Sequence, residues 1–450
     1  MSIVLPASDI LHLEHLHAQA VHNEGDYYRI ETSGDVVPTA CPACSSALYR
    51  HGTQRQSFMD TPMHGKRVLL DIERRRYRCR SCGKTLFDPL PDMDGKRFMT
   101  TRLVRHIERQ CLTKTFAALS RDIGVDNKTI RLIFDDYVDH LKATVTFETP
   151  HILGIDELMI IGQYRAMITN VEKLSLFDML PTRNEADLLA YFQAMPDKHK
   201  VEVVMMDMWS VYRQVVQEQF PGRMIVADRS HIVRMANDAL ERVRKAIRKT
   251  LPDKTRLKLK YDRKLLFLRS LELDDADRAK VNQWSAQFPL LGDAYKLKEL
   301  FHSLYEQPDK QSAMNAADAW ANSIPSELEP YFKDAKGALQ SWRAEIFSYY
   351  DVSITNAYTE SINNIAKEMN RMGRGYSLDV IRARLLYNDE AQKDTRQTIR
   401  KKPRKKAETA GTEWSFFQTL QTEPVEAEQV IEYGPSLATL ARLLREGYFA

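Results

Sequence analysis

From residue 151 onwards, the spacing of apolar residues changes from a helical to a strand-like pattern. Three short runs rich in Ile, Leu and Met each predict a β-strand: HILGIDELMIIG, YRAMITNVE and LSLFDML. The next segments alternate, since NEADLLAYFQAM and SVYRQVVQEQF predict helices whereas VEVVMMDM and RMIVAD predict buried strands. Three strands followed by alternating helices and strands predict a mixed α/β sheet.

Helical patterns occupy most of the remaining chain. Residues 97–144 predict helices with a break at Gly124, and residues 232 to about 340 predict helices alone. Helical spacing resumes at 358–371 and at 378–394, so a helical insertion would interrupt the α/β domain. The stretch IRKKPRKKAETAGTE is typical of a charged linker, and a short helix is predicted near the end of the chain.

Composition and charge narrow the class of protein. A chain of 450 residues with 43% hydrophobic residues predicts two to four globular domains, at about 150 residues each. The net charge of +4 is small, but residues 50–84 hold ten Lys/Arg against three Asp/Glu, and residues 228–269 hold fourteen against five. Such blocks indicate a polyanionic partner, although any single block also fits a solvated helix face.

Membrane and secretion signals are not found in the sequence. No run of 18 apolar residues occurs, and the segment MSIVLPASDILHLEH lacks the basic start and apolar region of a signal peptide. We therefore expect a cytoplasmic protein without a membrane partner.

Four of the five cysteines form two Cys-x-x-Cys pairs, Cys41 with Cys44 and Cys79 with Cys82. Each pair offers two thiolates from one tight turn, and a tetrahedral Zn²⁺ ion takes four such ligands. The intervening residues suffice for the hairpin of a zinc ribbon. Because protein would fill all four positions, the site would be structural; free thiols or a redox pair are the alternatives. The fifth cysteine, Cys111, is predicted to be an ordinary buried helix residue.

The segment KTFAALSRDIGVDNKTIRLIFDDYVDHL has the pattern of a helix–turn–helix. Gly124 permits the turn, and Asp126 is placed to cap the second helix. In this motif the start of the second helix enters the DNA major groove, which nominates Asn127, Lys128 and Arg131 as DNA contacts. Any helical hairpin shows a similar pattern, so the basic cysteine-containing neighbour is what favours DNA binding.

Further candidate DNA contacts come from the basic blocks. The run RRRYRCR lies beside the second cysteine pair and predicts an edge that contacts phosphates. The helical insertion has a second concentration of cations that would grip flanking or target DNA. The candidates are Arg74, Arg75 and Arg76 in the first block, and Arg242, Arg244, Lys245, Arg248 and Lys249 in the second.

Two acidic residues lie in segments that otherwise predict core strands. Asp156 is inside LGIDELMI, and Asp207 ends VEVVMMDM. A carboxylate in such a strand is costly to bury unless it is paired or binds a cation. If both strands belong to one sheet, the two carboxylates would converge and offer hard oxygen ligands that suit Mg²⁺.

A third acid is predicted on a late helix, in TNAYTESINNIAKEMNRMGRGY. Helical spacing puts Glu360, Asn363, Asn364, Lys367 and Arg371 on one face. An acid, two amides and two cations on one face suit a metal ion and a DNA strand, so Lys367 and Arg371 are candidate DNA contacts. The alternative is an ordinary exposed helix face.

Taken together, these motifs resemble bacterial insertion-sequence transposases of the ISL-three type. Those proteins have a zinc ribbon, a helix–turn–helix and then an RNase H-like DDE domain interrupted by a helical insertion. The resemblance covers about residues 40–390. The matching segments are CPAC, CRSC, LGIDE, DMWSVYR, VADRSHIVR and TNAYTESINNIAKEMNRMGRGY.

The resemblance implies that Asp156, Asp207 and Glu360 are the catalytic acids and bind two Mg²⁺ or Mn²⁺ ions. The two asparagines that follow Glu360 fit the family pattern loosely. The segment DRSH resembles an element near the site in several transposase superfamilies, so Asp228 and His231 are expected beside it. Asp228 is the rival metal ligand, and His231 fits a plain helix N-terminal residue equally well. The residue after Asp156, a glutamate, points to the other face of a regular strand and is excluded.

The implied function is a transposase that binds the terminal inverted repeats of an insertion sequence, then cuts and joins double-stranded DNA. The resemblance implies a homodimer that associates with the bacterial nucleoid when it is bound to DNA. Two alternatives remain: a zinc-ribbon and helix–turn–helix regulator, and an RNase H-like nuclease without strand transfer. The expected domains are a lead-in segment (1–36), the zinc ribbon (37–95), the helix–turn–helix domain (96–145), the catalytic domain in two parts (146–231 and 341–398), the helical insertion (232–340) and a basic linker with a C-terminal helix (399–450).

Overall fold

The N-terminal sheet is organised by two long antiparallel strands. This computed structural model describes residues 11–352, 354 and 357–393, so the predicted linker and C-terminal helix at 399–450 lie outside the described residues. The strands of this sheet are β1 (Leu16–Asn23), β2 (Tyr27–Gly34), β3 (Leu48–Met63), β4 (Lys66–Cys79) and β5 (Thr85–Phe87). Their order is β1-β2-β4-β3, and β5 pairs with the end of β4.

The expected lead-in segment, 1–36, is therefore not separate from the zinc ribbon where the structure describes it. Strand β2 pairs in parallel with β4, and Leu16 and Ile30 are buried with Leu70 in one small core. Strands β2 and β4 lie about forty residues apart in the chain, so local sequence patterns did not reveal the pairing.

Three helices follow, α1 (Thr101–Gln110), α2 (Phe116–Ile123) and α3 (Asn127–Thr144). Helix α2 ends at Gly124, whose φ of 85° lies in the left-handed region that glycine adopts without strain. The Asp126 side chain accepts a 2.9 Å hydrogen bond from the backbone N–H of Thr129 and so caps α3. The turn and the cap are those that the sequence predicted for a helix–turn–helix.

The second sheet has the mixed topology that the order of elements predicted. Strands β6 (Ile152–Ile160), β7 (Gln163–Asn170) and β8 (Ser175–Met179) are antiparallel. Helices α4 (Glu185–Ala194) and α5 (Ser210–Gln219) then flank β9 (Val203–Met206) and precede β10 (Met224–Ala227). The strand order is β10-β9-β6-β7-β8, with β9 parallel to both β6 and β10. This sheet is the α/β core expected for the catalytic domain.

The helical insertion begins three residues earlier than expected. Helix α6 runs unbroken over Arg229–Lys249, so the expected boundary at 231 falls inside it, because Asp228 caps the helix directly after β10. The insertion contains α6, α7 (Asp253–Tyr261), α8 (Arg263–Phe267), α9 (Asp275–Gln287), α10 (Pro289–His302), α11 (Lys310–Asn322) and α12 (Glu329–Ser341). Two short helices, α13 (Arg343–Phe347) and α14 (Tyr349–Val352), follow it within the range expected for the last part of the catalytic domain. The core of the insertion is continuous with side chains from one face of the second sheet.

The chain returns to the second sheet through α15 (Ala357–Gly373) and α16 (Leu378–Lys393). These helices and the helix–turn–helix share one core with β6, β7 and β8, in which Phe116, Leu158, Met167 and Tyr376 are buried. The helix–turn–helix is therefore packed against the α/β domain rather than tethered beside it. Among the described residues, no helix is long and apolar enough to cross a membrane.

Candidate active site

Two carboxylates meet where neighbouring strands of the second sheet end. Parallel pairing of β6 with β9 puts Ile155 beside Met206, so the next residues, Asp156 and Asp207, lie side by side. Both are buried, and one carboxylate oxygen of each lies within 4.8 Å of the other and of a ring nitrogen of His231. The two acids thus converge as the strand pattern predicted, and His231 lies beside them.

Burial changes the protonation of Asp156. Loss of water raises the pKa of Asp156, and the negative charge of Asp207 and a hydrogen bond with it raise the pKa further, to about 9. Two buried carboxylates at this separation are costly to ionise together unless a cation lies between them. The two carboxylates therefore fit a divalent metal ion that prefers oxygen ligands.

His231 links the second acid to the start of α6. Its Nδ1 lies 2.8 Å from Oδ1 of Asp207 and 3.0 Å from Oδ2 of Asp228. Burial lowers the pKa of His231, but hydrogen bonds and charges from both carboxylates outweigh burial and raise the pKa to about 10. His231 therefore contacts two carboxylates in addition to lying at the N-terminal end of α6. The signal for it in the sequence is the segment DRSH.

Asp228 forms a hydrogen bond with His231. Burial raises the pKa of Asp228, but hydrogen bonds from His231 and from Ser230 lower it overall. The strand that precedes Asp228, β10, is separated from β6 by β9. Asp228 is not in the group formed by Asp156, Asp207 and His231.

Helix α15 packs against β6 and contacts Asp156. The side-chain amide of Asn363 donates a 2.6 Å hydrogen bond to Oδ2 of Asp156, and the hydroxyls of Thr359 and Thr169 are 2.8 Å apart. Glu360 is one turn before Asn363, in the first turn of α15. It is half-buried and lines a cavity with Asp228, but it is not in the group with the two acids and His231.

The glutamate that the sequence excluded, Glu157, forms an ion pair with Arg183 on the other side of β6. The Arg183 guanidinium also lies 4.2 Å from the ring centre of Tyr164 and 4.4 Å from that of Trp209. Sequence reasoning did not single out Arg183, because it lies in a short loop before α4 with no motif around it. Arg183 and the two rings therefore pack beside Glu157, the residue that follows Asp156 on β6.

The four paired cysteines form one cluster at the end of the first sheet. Sγ of Cys41 lies 3.6 Å from Sγ of Cys82, and Sγ of Cys44 lies 3.4 Å from Sγ of Cys79. A tetrahedral zinc ion about 2.3 Å from each sulfur would separate neighbouring sulfurs by about 3.8 Å, so the thiols already have nearly that spacing. Hydrogen bonds from Ser46 lower the pKa of Cys44 to about 6, which favours the thiolate that zinc requires.

Comparison with known proteins assigns these parts. A family model described as "Transposase" matches residues 153–385, which is half of the chain. Residues 38–82 match "zinc-finger of transposase IS204/IS1001/IS1096/IS1165", and residues 89–138 match "Helix-turn-helix domain of transposase family ISL3". The chain belongs to the ISL3 family of transposases. It is also similar to the "Transposase for insertion sequence element IS1001" of Bordetella parapertussis, with 23% identity over 363 residues that cover 75% of this chain and 86% of that protein.

These matches confirm the resemblance, the fold class and the DNA-binding transposase function that the motifs predicted. The transposase is an enzyme of the DDE type, whose chemistry depends on a divalent metal, and it also has a zinc ribbon with a four-cysteine cluster. A regulator without catalytic function is accordingly disfavoured.

Three of the predicted DNA contacts of the transposase are occupied by protein. Arg74 and Arg75 both bind the Asp88 carboxylate, and Arg75 also donates to the backbone oxygens of Gly34 and Val36. Arg244 is buried and donates two hydrogen bonds to Glu241, at 2.7 and 2.9 Å. These three arginines stabilise the fold. Their guanidinium groups already donate hydrogen bonds to protein acceptors, which are Asp88 for Arg74 and Arg75 and Glu241, on the preceding helical turn, for Arg244.

The other predicted contacts differ in accessibility. Arg76 and Arg248 are half-buried, and Arg242 is exposed but forms an ion pair with Asp334 at 3.1 Å. The remaining candidates have exposed side chains and are Asn127, Lys128, Arg131, Lys245, Lys249, Lys367 and Arg371. Of these, the first three lie at the start of α3, as the helix–turn–helix geometry requires.

Proposed function

We propose that Asp156, Asp207 and Glu360 are the catalytic acids of this transposase and that they bind two Mg²⁺ or Mn²⁺ ions. The observation that carries this proposal is the convergence of two buried carboxylates on neighbouring parallel strands, with a hydrogen-bonding helix from the end of the chain above them. Divalent ions held by these acids would supply Lewis-acid chemistry, namely activation of water or of a DNA 3′-hydroxyl and stabilisation of the leaving oxygen. No side chain needs to become covalently attached to DNA.

The protein's own groups hold the acids in position. Asn363 fixes one oxygen of Asp156, and His231, supported by Asp228, fixes Asp207. Hydrogen-bonding groups such as Asn363 and His231 orient the carboxylates that bind a metal and limit their rotation. Glu360 lies one helical turn from Asn363, so it would supply the third carboxylate to the metal ions.

DNA recognition falls to the N-terminal modules in this proposal. The zinc ribbon and the exposed start of α3 bind the terminal inverted repeats, and the exposed cations of the insertion contact flanking or target DNA. A homodimer brings the two ends together, and the protein associates with nucleoid DNA. The exposed position of Asn127, Lys128 and Arg131 and the charge of the insertion support the DNA contacts. The homodimer and the nucleoid association follow from the family resemblance alone.

The test uses DNA with the terminal repeats that flank the coding sequence. Asp207→Asn and Glu360→Gln should each abolish cleavage while end binding persists, because they remove a metal ligand and no DNA contact. Asp238→Asn, at an exposed aspartate of α6, is the matched control and should cleave normally. Normal cleavage by Glu360→Gln would reject its role. Cut but unjoined products from the unmodified protein, with a target plasmid present, would favour a nuclease instead.

A further inference from the structure

A cavity of about 600 Å³ separates the catalytic edge of the second sheet from the helical insertion. Asp228 and Glu360 line it on the catalytic side. Its other walls include Arg229, Phe267, Arg269, Leu271 and His302. A cavity of this size is in the range that holds a small ligand or a single nucleotide.

His302 is a buried polar group with an unused atom in this wall. Its side chain is 7% exposed, and Nε2 has no hydrogen-bond partner among the described residues. Burial and the positive charges of Lys298 and Arg269 lower the pKa of His302 to about 4, so the ring is neutral near pH 7. A buried nitrogen without a partner costs free energy, which a ligand with a complementary polar edge would recover.

Leu271 stands at the rim of the same cavity. It is 81% exposed, the highest exposed fraction among the large hydrophobic side chains of the described residues. The turn that carries it is firmly held, because the fully buried Lys298 donates a 2.7 Å hydrogen bond to the backbone oxygen of Leu268. Glu299 accepts from the backbone N–H of Ser270 at 3.1 Å. The structure thus exposes an apolar side chain to water at the rim of the cavity that Glu360 also lines.

The charges of the lining favour a base over a phosphate. Two arginines and four carboxylates surround the cavity, and Arg269 already binds Glu306 at 2.6 Å. So many carboxylates would repel a phosphate, whereas a neutral base has donors and acceptors for both kinds of group. Phe267 provides a surface of the kind on which a base stacks.

We propose that this cavity takes one nucleobase of the DNA end, which Leu271 unstacks by inserting as an apolar wedge and whose edge bonds to Nε2 of His302. The inference rests on the proposed function, because the DNA strand must lie at Asp156 and Asp207 for its neighbouring base to reach the cavity. Apolar wedges between base steps and pockets for displaced bases are known devices of DNA-acting proteins.

The experiment places 2-aminopurine at each position around the cleavage site and records fluorescence of the complex with the full-length protein in Ca²⁺. One position should brighten, because unstacked 2-aminopurine fluoresces more strongly. Leu271→Ala should abolish that rise and slow cleavage in Mg²⁺ on the order of tenfold. The matched control is Leu257→Ala, at an exposed leucine of α7 that does not line the cavity.

DNA with an abasic site distinguishes the loss of base unstacking by Leu271 from damage to the fold of the variant. An abasic site at the brightened position should restore the cleavage rate of Leu271→Ala and of His302→Leu, because no base then has to be displaced or held. Cleavage by the unmodified protein without brightening at any position would overturn the inference and leave the proposed function intact. A change in oligomeric state of DNA-free Leu271→Ala, with unchanged brightening, would overturn it in favour of a contact between protein copies. Failure of the unmodified protein to cut paired ends would instead refute the proposed function.

Discussion

The side-chain amide of Asn363 donates a 2.6 Å hydrogen bond to Oδ2 of Asp156, across 207 positions of the chain. This contact joins the first strand of the second sheet to a helix that follows the whole insertion. It brings the N-terminal end of α15, with Glu360, over the sheet edge where the two buried acids meet. The position of the third predicted acid therefore depends on how α15 docks.

Asn363→Ala should slow DNA cleavage by about 10-fold to 100-fold, because Asp156 loses the group that orients it. The loss should be greatest at low Mg²⁺, since a wrongly oriented carboxylate weakens metal binding. Cleavage rates at several Mg²⁺ concentrations measure the effect. Asn364→Ala is the control, because that neighbour is exposed. Equal rates for the two variants at limiting Mg²⁺ would contradict the positioning role of Asn363.

Cys79→Ser should lower the zinc content and the end-binding affinity together, because a buried ligand of the four-cysteine cluster is lost. Cys111→Ser is the control, since that thiol donates instead to the backbone oxygen of Glu108 at 3.0 Å. Zinc measured by atomic emission should remain near one ion per chain in the control. A Cys79→Ser protein with full zinc would exclude the cluster as the zinc site.

The pH dependence of stability should include a contribution from His302. The folded pKa of about 4 lies below the ordinary value of 6.5, so His302 protonates more readily in the unfolded chain. Its contribution is present above pH 6.5 and is lost as the pH falls from 6.5 to 4, by about 3 kcal/mol in all.

His302→Gln should therefore weaken the loss of melting temperature between pH 6.5 and 4, as measured by thermal unfolding at a series of pH values. His140→Gln, at an exposed histidine of α3, is the comparison. If both variants follow the unmodified protein over this range, His302 is not buried as a neutral ring.

Tyr376 should couple the helix–turn–helix to the catalytic domain. Its hydroxyl accepts a 3.2 Å hydrogen bond from the backbone N–H of Phe116, and the two ring centres are 5.2 Å apart. Tyr376→Phe should cost about 1 kcal/mol of stability, and Tyr376→Ala about 3 kcal/mol or more.

Hydrogen exchange is the suitable measurement, because Tyr376→Ala should reduce protection in α2 and in α15 together. Tyr261→Ala removes a ring that is 74% exposed and should leave both helices protected. Loss of protection in α2 alone would show that the two parts open independently.

Much of the fold follows from local patterns. The apolar runs predicted β6 to β10 and the helices between them, and Gly124 with Asp126 predicted the turn and cap of the helix–turn–helix. The strands β1 and β2 escaped prediction, because only pairing with the distant β4 makes them part of a core.

The sequence by itself determined which groups could do chemistry: two acids in apolar strands, four cysteines in two tight turns and a late acidic helix. Burial cost and ligand spacing are properties of short segments, so these could be seen in the chain alone. Only the tertiary structure decided that His231 bridges Asp207 and Asp228, that Asn363 holds Asp156, and that Asp88 occupies Arg74 and Arg75. Those outcomes depend on which distant partners folding brings within about 3 Å, and hydrogen bonds and ion pairs form only at that range.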